Sequence, residues 1–471
     1  MLQSHSQVFQ SDIRVLEIES HFTKERARTP LKFGGVVMAE ALLLRCRAKV
    51  ENRRGNVADG WGAIFLADFW AWPSSIVEHE TREEAMRRVS IEYAKTVEGF
   101  NRYAHPIDIF LETEDELKNI AKRVSQQMGL QEEMPFLAAL VCASAIDAAL
   151  HDAFGNCNGI DSYHGYGKEC MRDLRSYLGD GFDGKYISDY IRPSYAPQIP
   201  VFHLVGGLDK LTRAEVDESD PKDGLPNCLE EWIEVDGVHC LKVKLRGNDL
   251  EWDLQRLLDV YKVGIECNRR RGKERIFTTA DTNEMCETPE YMVELLLKLK
   301  EVNEEAFNSL LYIEQPTHRD LRSHPFDMRK LSSIKPVFMD ESLTDFEMYE
   351  LGKQLGVNGI ALKTCKGHSM CMLMVAKATE DGIPYAVQDL TNPSIALLHS
   401  VGMAARIYPV MGVEANSRQF FPLASEAERK VHPDIVERRD GFLKTHTLVG
   451  TGLGYQIERI KPLWKLDEDG F

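Results

Sequence analysis

The 471-residue sequence has no run of 18 or more apolar residues, so it offers no continuous membrane-crossing segment. Its opening stretch, MLQSHSQVFQSDIRVLEIES, has no basic segment leading into an apolar one. No secretory leader is therefore expected, and the expected compartment is the cytoplasm. Ten cysteines, at positions 46, 142, 157, 170, 228, 240, 267, 286, 365 and 371, never fall into CxxC spacing. That excludes a zinc ribbon and fits small buried thiols in a reducing compartment. Positive charge is also short, with 57 Lys and Arg against 74 Asp and Glu and a formal net charge of −17. Phosphate contacts need clustered Lys and Arg, so neither nucleic acid nor an anionic membrane is an expected partner. No GxGxxG opens a helix after a strand, and there is no P-loop lysine. DTNEMCETPEYM begins like a calcium loop, but Cys286 and Met292 stand where that loop needs Gly and a bidentate Glu.

What is present is ordinary globular composition, 43% hydrophobic and 28% charged, in a chain long enough for several domains or one large barrel with an appendage. The first 75 residues read as strands: DIRVLEIESHF and AEALLLRCRAKVE alternate apolar and polar side chains, and GWGAIFLADFWAW follows Gly60. TKERARTPLKFGG between the first two, with Pro30 and paired glycines, reads as a loop. Residues 80–128 are charged and helical in character, and residues 134–154 form an Ala-rich helix that is apolar on nearly every face, hence buried between layers. Residues 155–198 are irregular and hold six of the 15 tyrosines. Such a segment is expected to be a lid, a linker or a subunit contact.

From residue 199 the texture changes. Eight short apolar runs, IPVFHLVGG, LKVKLRG, IFTTADTN, LLYIEQP, PVFMDES, GIALKTC, PYAVQDL and PVMGVEA, alternate with amphipathic stretches such as WDLQRLLDVYKVGIE and FEMYELGKQLG. Continuous apolar strands between helices predict a parallel sheet covered by helices. Eight units in this length predict an α/β fold of the TIM-barrel type rather than a doubly wound sheet. The expected division is a capping domain over 1–155, a Gly/Tyr-rich insertion over 156–198, the barrel over 199–425 and a tail over 426–471.

Five consecutive strands of this set end in charged residues that a buried strand does not need: Lys242 and Lys244, Asp281 and Asn283, Glu314, Asp340 and Glu341, then Lys363. Each group is one strand–loop–helix unit from the next, and a barrel gathers such C-terminal strand ends at one mouth. Three carboxylates held together repel one another unless a cation relieves them. Oxygen ligands with no His or Cys point to a hard ion, Mg²⁺, on Asp281, Glu314 and Asp340. Lys242 and Lys244 are two apart and so share a strand face, while Lys363 approaches from across the barrel. An amine desolvated beside other cations can serve as a general base.

Taken in order, Lys242-Val243-Lys244, Asp281-Thr282-Asn283, Glu314-Gln315-Pro316, Asp340-Glu341-Ser342 and Lys363 in GIALKTCKG resemble the enolase superfamily, within it the muconate-lactonizing-enzyme subgroup. The resemblance implies a (β/α)7β barrel with an α+β capping domain completed by the C-terminal tail, DGFLKTHTLVGTGLGYQIERI. RTPLKFGG takes the place of a mobile capping loop.

It also implies roles. Mg²⁺ on Asp281, Glu314 and Asp340 would bind a substrate carboxylate and stabilise the enediolate left by loss of the α-proton. Lys244 and Lys363 would stand on opposite faces of the α-carbon, Lys242 would support the carboxylate, and Asn283 and Glu341 would hold the ligands in place. The expected reaction is racemisation, epimerisation or cycloisomerisation of a small carboxylate by a homo-oligomeric isomerase. A dehydratase using the same intermediate is the alternative, and a barrel without catalysis the third. Members that epimerise dipeptides carry Asp-x-Asp at the eighth strand; Gly412-Val413-Glu414-Ala415-Asn416 keeps only Glu414, a candidate substrate contact or strand-end cap. Gln388 and Asp389 at the seventh strand, residues 28–33, Trp61 and Phe65 are further candidate contacts. His318 and His324 are expected to be loop residues, and Gly206-Gly207 a turn. No Asp–His pair marks the sixth and seventh strands, unlike the mandelate-racemase subgroup.

Overall fold

The computed structural model describes residues 8–33 and 36–464. Three antiparallel strands, β1 (Ile13–Phe33), β2 (Val36–Asn52) and β3 (Val57–Phe65), form the N-terminal sheet in the order β1-β2-β3. The stretch expected as a loop from residue 23 is strand instead. Thr23 through Arg26 pair with Leu43 through Glu40, and pairing resumes at Leu31↔Met38 after an irregularity. Pro30, which has no N–H to give a ladder, falls in that irregularity, so it bends the hairpin without ending it. Gly34, Gly35 and the side chains of Lys32, Phe33, Val36 and Val37 lie outside the described residues, as do 1–7 and 465–471. The aromatic run after β3 does not continue as strand but turns into a short helix, Asp68–Ala71.

Against β2 and β3 lies the helix Phe136–Asn158. It is long and apolar enough to cross a membrane, but 94% of its most apolar window is buried inside this chain. Alanine makes the approach possible on one side and glycine on the other. A Cβ on Gly60 would sit 2.0 Å from the backbone nitrogen of Ala153, and one on Gly62 would sit 2.0 Å from the carbonyl oxygen of Ala145. Backbone cannot retreat as a flexible side chain does. Gly62→Ala is therefore expected to cost about 1–3 kcal/mol or more, read as a fall in urea midpoint. Gly207→Ala, where a Cβ meets nothing within 4 Å, is expected to leave the midpoint unchanged.

Eight parallel strands follow: β4 (Gln198–Val205), β5 (Cys240–Lys244), β6 (Phe277–Asp281), β7 (Leu310–Glu314), β8 (Val337–Met339), β9 (Gly359–Lys363), β10 (Tyr385–Gln388) and β11 (Val413–Glu414). Each pairs with the next, and Val413↔Val201 with Glu414↔Phe202 closes the ring. Every one of the eight apolar runs read in the sequence supplies one strand of this barrel. A last strand, β12 (Phe442–Lys444), adds antiparallel to the outside of β4. The tail thus touches the barrel before it reaches the capping domain, where the Leu453 N–H donates to Asp152 at 2.7 Å and Trp464 packs on Trp61.

The tyrosine-rich segment is no lid over the barrel mouth. Tyr163 and Tyr166 are buried, and the Tyr166 hydroxyl sits between His151 and His368 at 2.9 and 2.8 Å. His151 belongs to the apolar helix of the capping domain and His368 opens the barrel helix His368–Glu380, so the segment seals the seam between the two.

Candidate active site

Parallel pairing places the strand ends in register, with Lys244 opposite Asp281 and Asp281 opposite Glu314. Asp340 and Glu341 follow β8 directly, Lys363 ends β9, Gln388 ends β10 and Glu414 ends β11. All nine residues read from the sequence as site residues are buried at this mouth, each at 9% exposure or less.

Lys242 Nζ lies 2.8 Å from Glu314, 2.9 Å from Glu414 and 3.1 Å from Asp281, at the centre of the barrel. Lys244 Nζ contacts Asp281 at 2.5 Å and Lys363 Nζ contacts Asp340 at 2.6 Å. Burial works against the charge on Lys242, but Glu314, Glu414 and Asp281 outweigh it and hold the ammonium well above its ordinary range. The same balance raises Lys363, where burial is outweighed by Asp340, so beside this carboxylate the lysine is held as an ammonium and not, as its desolvation alone led one to expect, as a free amine. Burial likewise opposes ionisation of Asp281 and Asp340, yet their lysines hold both below the usual carboxylate range. Glu314 differs. Burial and then Asp281 push it well above its ordinary value, with Asp340 adding to the effect and Lys242 only partly offsetting it. Glu341 is pushed up to about 7 by burial and Asp340.

Local backbone strain holds these groups. Asn283, Glu284 and Gln315, just beyond the β6 and β7 carboxylates, have φ of 45°, 63° and 32°, a region that Asn tolerates but that is costly for Glu and Gln. The Asn283 N–H donates to Asp281 at 2.8 Å and its side-chain amide donates to Glu341 at 3.2 Å. The Gln315 side-chain oxygen Oε1 accepts from the Asp340 and Ser342 N–H groups and the Ser342 hydroxyl, so the residue after β7 fixes the loop after β8.

Asp281, Glu314 and Asp340 form an oxygen-only set, and Glu314 is the member whose charge most needs relief. Both facts fit a hard divalent cation. Among the described residues, no three His, Cys, Asp or Glu side chains already converge as ligands; the lysines hold the carboxylates instead.

Two site residues escaped the sequence reading. Lys366 Nζ reaches the Asp340 backbone carbonyl and, at 3.2 Å, its Oδ1. The single turn Thr364–Lys366 after β9 folds it back to the mouth, a consequence the three-residue spacing from Lys363 in GIALKTCKG already contained. Trp70 donates its indole N–H to Glu341 at 2.9 Å, and its ring lies 4.4 Å from Lys363 Nζ. The sequence pointed to Trp61 and Phe65 instead. Both belong to β3 and pack elsewhere, Trp61 on Trp464 and Phe65 on Phe421 at 4.8 Å between ring centres. Arg28 also turns away. Its guanidinium takes both oxygens of Asp223 and the carbonyls of Leu225 and Pro226, tying the hairpin to the β4–β5 connection. From that stretch Leu31 reaches the cavity. With Met38, Ala67, Trp70, Leu204 and Leu390 it forms an apolar side, facing Lys242, Lys244, Asn283, Lys363, Asp389 and Glu414. Gln388 supports the carboxylates, its amide donating to Glu314 at 2.5 Å. His318 and His324 are exposed, with ring centres 4.2 Å apart.

No family model and no curated protein matches this sequence. Solved structures do. An N-succinyl Arg/Lys racemase from Bacillus cereus ATCC 14579 aligns at a TM-score of 0.60 and 16% identity, covering 96% of this chain and 98% of its own. A muconate lactonizing enzyme from Pseudomonas fluorescens, complexed with muconolactone, aligns at 0.58 and 16%, covering 95% and 98%. A dipeptide epimerase from Enterococcus faecalis V583, complexed with Mg and the dipeptide L-Leu-L-Tyr, aligns at 0.58 and 16%, covering 94% and 99%. The likeness runs nearly end to end and establishes the fold, a closed eight-stranded barrel with an N-terminal capping domain.

Proposed function

We propose that this protein is an isomerase of the enolase superfamily that removes the proton α to a substrate carboxylate with the help of Mg²⁺ and returns it to the other face, or lets the intermediate cyclise. One observation carries this reading. Lys244 and Lys363 line one cavity from β5 and β9, four strands apart in a closed ring of eight, while the strands between them bear Asp281, Glu314 and Asp340. A flat carbanionic centre between two amines can lose a proton to one and gain it from the other, which inverts configuration. Mg²⁺, when bound, supplies positive charge against the substrate carboxylate and against the negative charge that grows there as the proton leaves. Asp281, Glu314 and Asp340 would hold it. Asn283, Gln315 and Trp70 keep the surrounding carboxylates in place, and the apolar side formed with Leu31 and Met38 excludes water.

The test is proton NMR in D₂O with Mg²⁺ and pooled acid sugars, N-acyl amino acids, dipeptides and lactones. An α-proton signal of at least one class is expected to wash out at unchanged mass, and added EDTA is expected to stop it. Washout that persists without metal would contradict the reading, as would intact α-protons in every pool. Loss of water with the proton would mark a dehydratase instead.

A further inference from the structure

Six buried carboxyl groups stand at the barrel mouth, and five of them have side-chain partners. Lysines meet Asp281, Glu314, Asp340 and Glu414, while Trp70 and Asn283 donate to Glu341. Asp389 is the exception among the described residues. Its Oδ1 accepts the Thr391 N–H at 2.8 Å, but Oδ2 meets no donor. Yet the residue is only 4% exposed and lines the cavity with Lys244, Lys363 and Trp70. Burial, with Glu414 adding to it, pushes Asp389 well above the ordinary carboxylate range, and the Thr391 N–H, Lys363 and Arg438 offset this only in part, so a cation brought to Oδ2 would relieve it.

Position says what that partner is attached to. Asp389 follows β10, and β10 and β11 lie across the ring from β6 and β7. A molecule whose carboxylate reaches toward Asp281 and Glu314, with its α-carbon between Lys244 and Lys363, sends its other end to Asp389. The neighbouring acid, Glu414, is already engaged by Lys242 at 2.9 Å and Asn416 at 2.8 Å.

Building on the proton-transfer reading, we infer that the substrate is a carboxylic acid carrying an ammonium group on its α-substituent, and that Asp389 receives this ammonium. Leu31, Met38 and Leu390 then pack along the carbon chain. The acid that selects the amine stands on the seventh strand, because the one on the eighth is committed to Lys242.

The experiment compares α-proton exchange in D₂O with Mg²⁺ for dipeptides and lysine, each with its amine free and acetylated, beside acid sugars and lactones. A free amine is expected to exchange about 100-fold faster than its acetylated form. Asp389→Asn is expected to raise KM for that amine by at least about 30-fold with kcat little changed, to bring the amine-to-acetyl ratio near one, and to leave Mg²⁺ affinity by calorimetry unaltered. The wild-type ratio decides the matter even where the variant does not fold. Acetylated forms, sugars or lactones exchanging as fast as any amine would overturn the inference and leave the proton-transfer reading standing, as would an Asp389→Asn enzyme with the wild-type ratio. No exchange in any class would overturn both.

Discussion

Lys363→Ala is expected to lower α-proton exchange at one face of the substrate by about 10²–10⁴-fold while exchange at the other face continues. The geometry makes the effect one-sided. Lys363 comes from β9 and Lys244 from β5, so each amine addresses its own side of the cavity. The variant also keeps Asp340 compensated, because Lys366 stays on the same carboxylate. Mg²⁺ affinity is therefore expected to stay within about threefold of wild type, a free-energy change of under 1 kcal/mol. Stereochemically resolved NMR in D₂O, starting from each enantiomer of a substrate in turn, reads the result directly. Lys244→Ala is the mirror experiment. Equal loss at both faces would mean that the two lysines do not divide the work.

The second large effect separates metal binding from stability. Asp340→Ala strips the carboxylate from between two buried ammonium groups, Lys363 and Lys366. Removing one partner of such a set is expected to cost about 3–5 kcal/mol, seen as a lower urea midpoint, together with loss of Mg²⁺ binding and turnover. Glu314→Gln is expected to behave differently. Burial, Asp281 and Asp340 already press Glu314 toward its neutral form, and Lys242 keeps Asp281 and Glu414 when the charge goes. Its folding stability is expected to change by less than about 1 kcal/mol, while Mg²⁺ affinity by calorimetry falls about 100-fold. Two variants of one proposed ligand set that both lose Mg²⁺ affinity, only one of them losing stability, would assign the defect to the site rather than to the fold. A Glu314→Gln protein that binds Mg²⁺ normally would remove Glu314 from the set.

The barrel was legible because each β/α unit repeats the same local instruction, a short β-branched or apolar run, then turn residues, then an amphipathic helix. Parallel register turns that repetition into geometry, so Asp281, Glu314 and Asp340 could be assigned to one end of the barrel from chain spacing alone. The capping domain was less legible. Nothing local distinguishes TKERARTPLKFGG as half of a long hairpin, since it is strand only because β2 pairs with it across the irregularity at Pro30. Trp70 was passed over for Trp61 and Phe65 because the aromatic cluster read as one strand, whereas the chain turns after Phe65 and sends the later indole to the barrel mouth.

The sequence by itself determined which chemistry is on hand: acids and amines at the ends of successive strands, with no thiol or imidazole among them, since strand period and barrel topology are local and repetitive. Only the tertiary structure decided which of those charges are already spent on each other. Lys242 takes Glu414, Lys366 joins Lys363 on Asp340, and among the described residues Asp389 Oδ2 meets no hydrogen-bond donor. Such pairing depends on through-space distances between residues up to 172 positions apart, as for Lys242 and Glu414, and no periodicity along the chain encodes them.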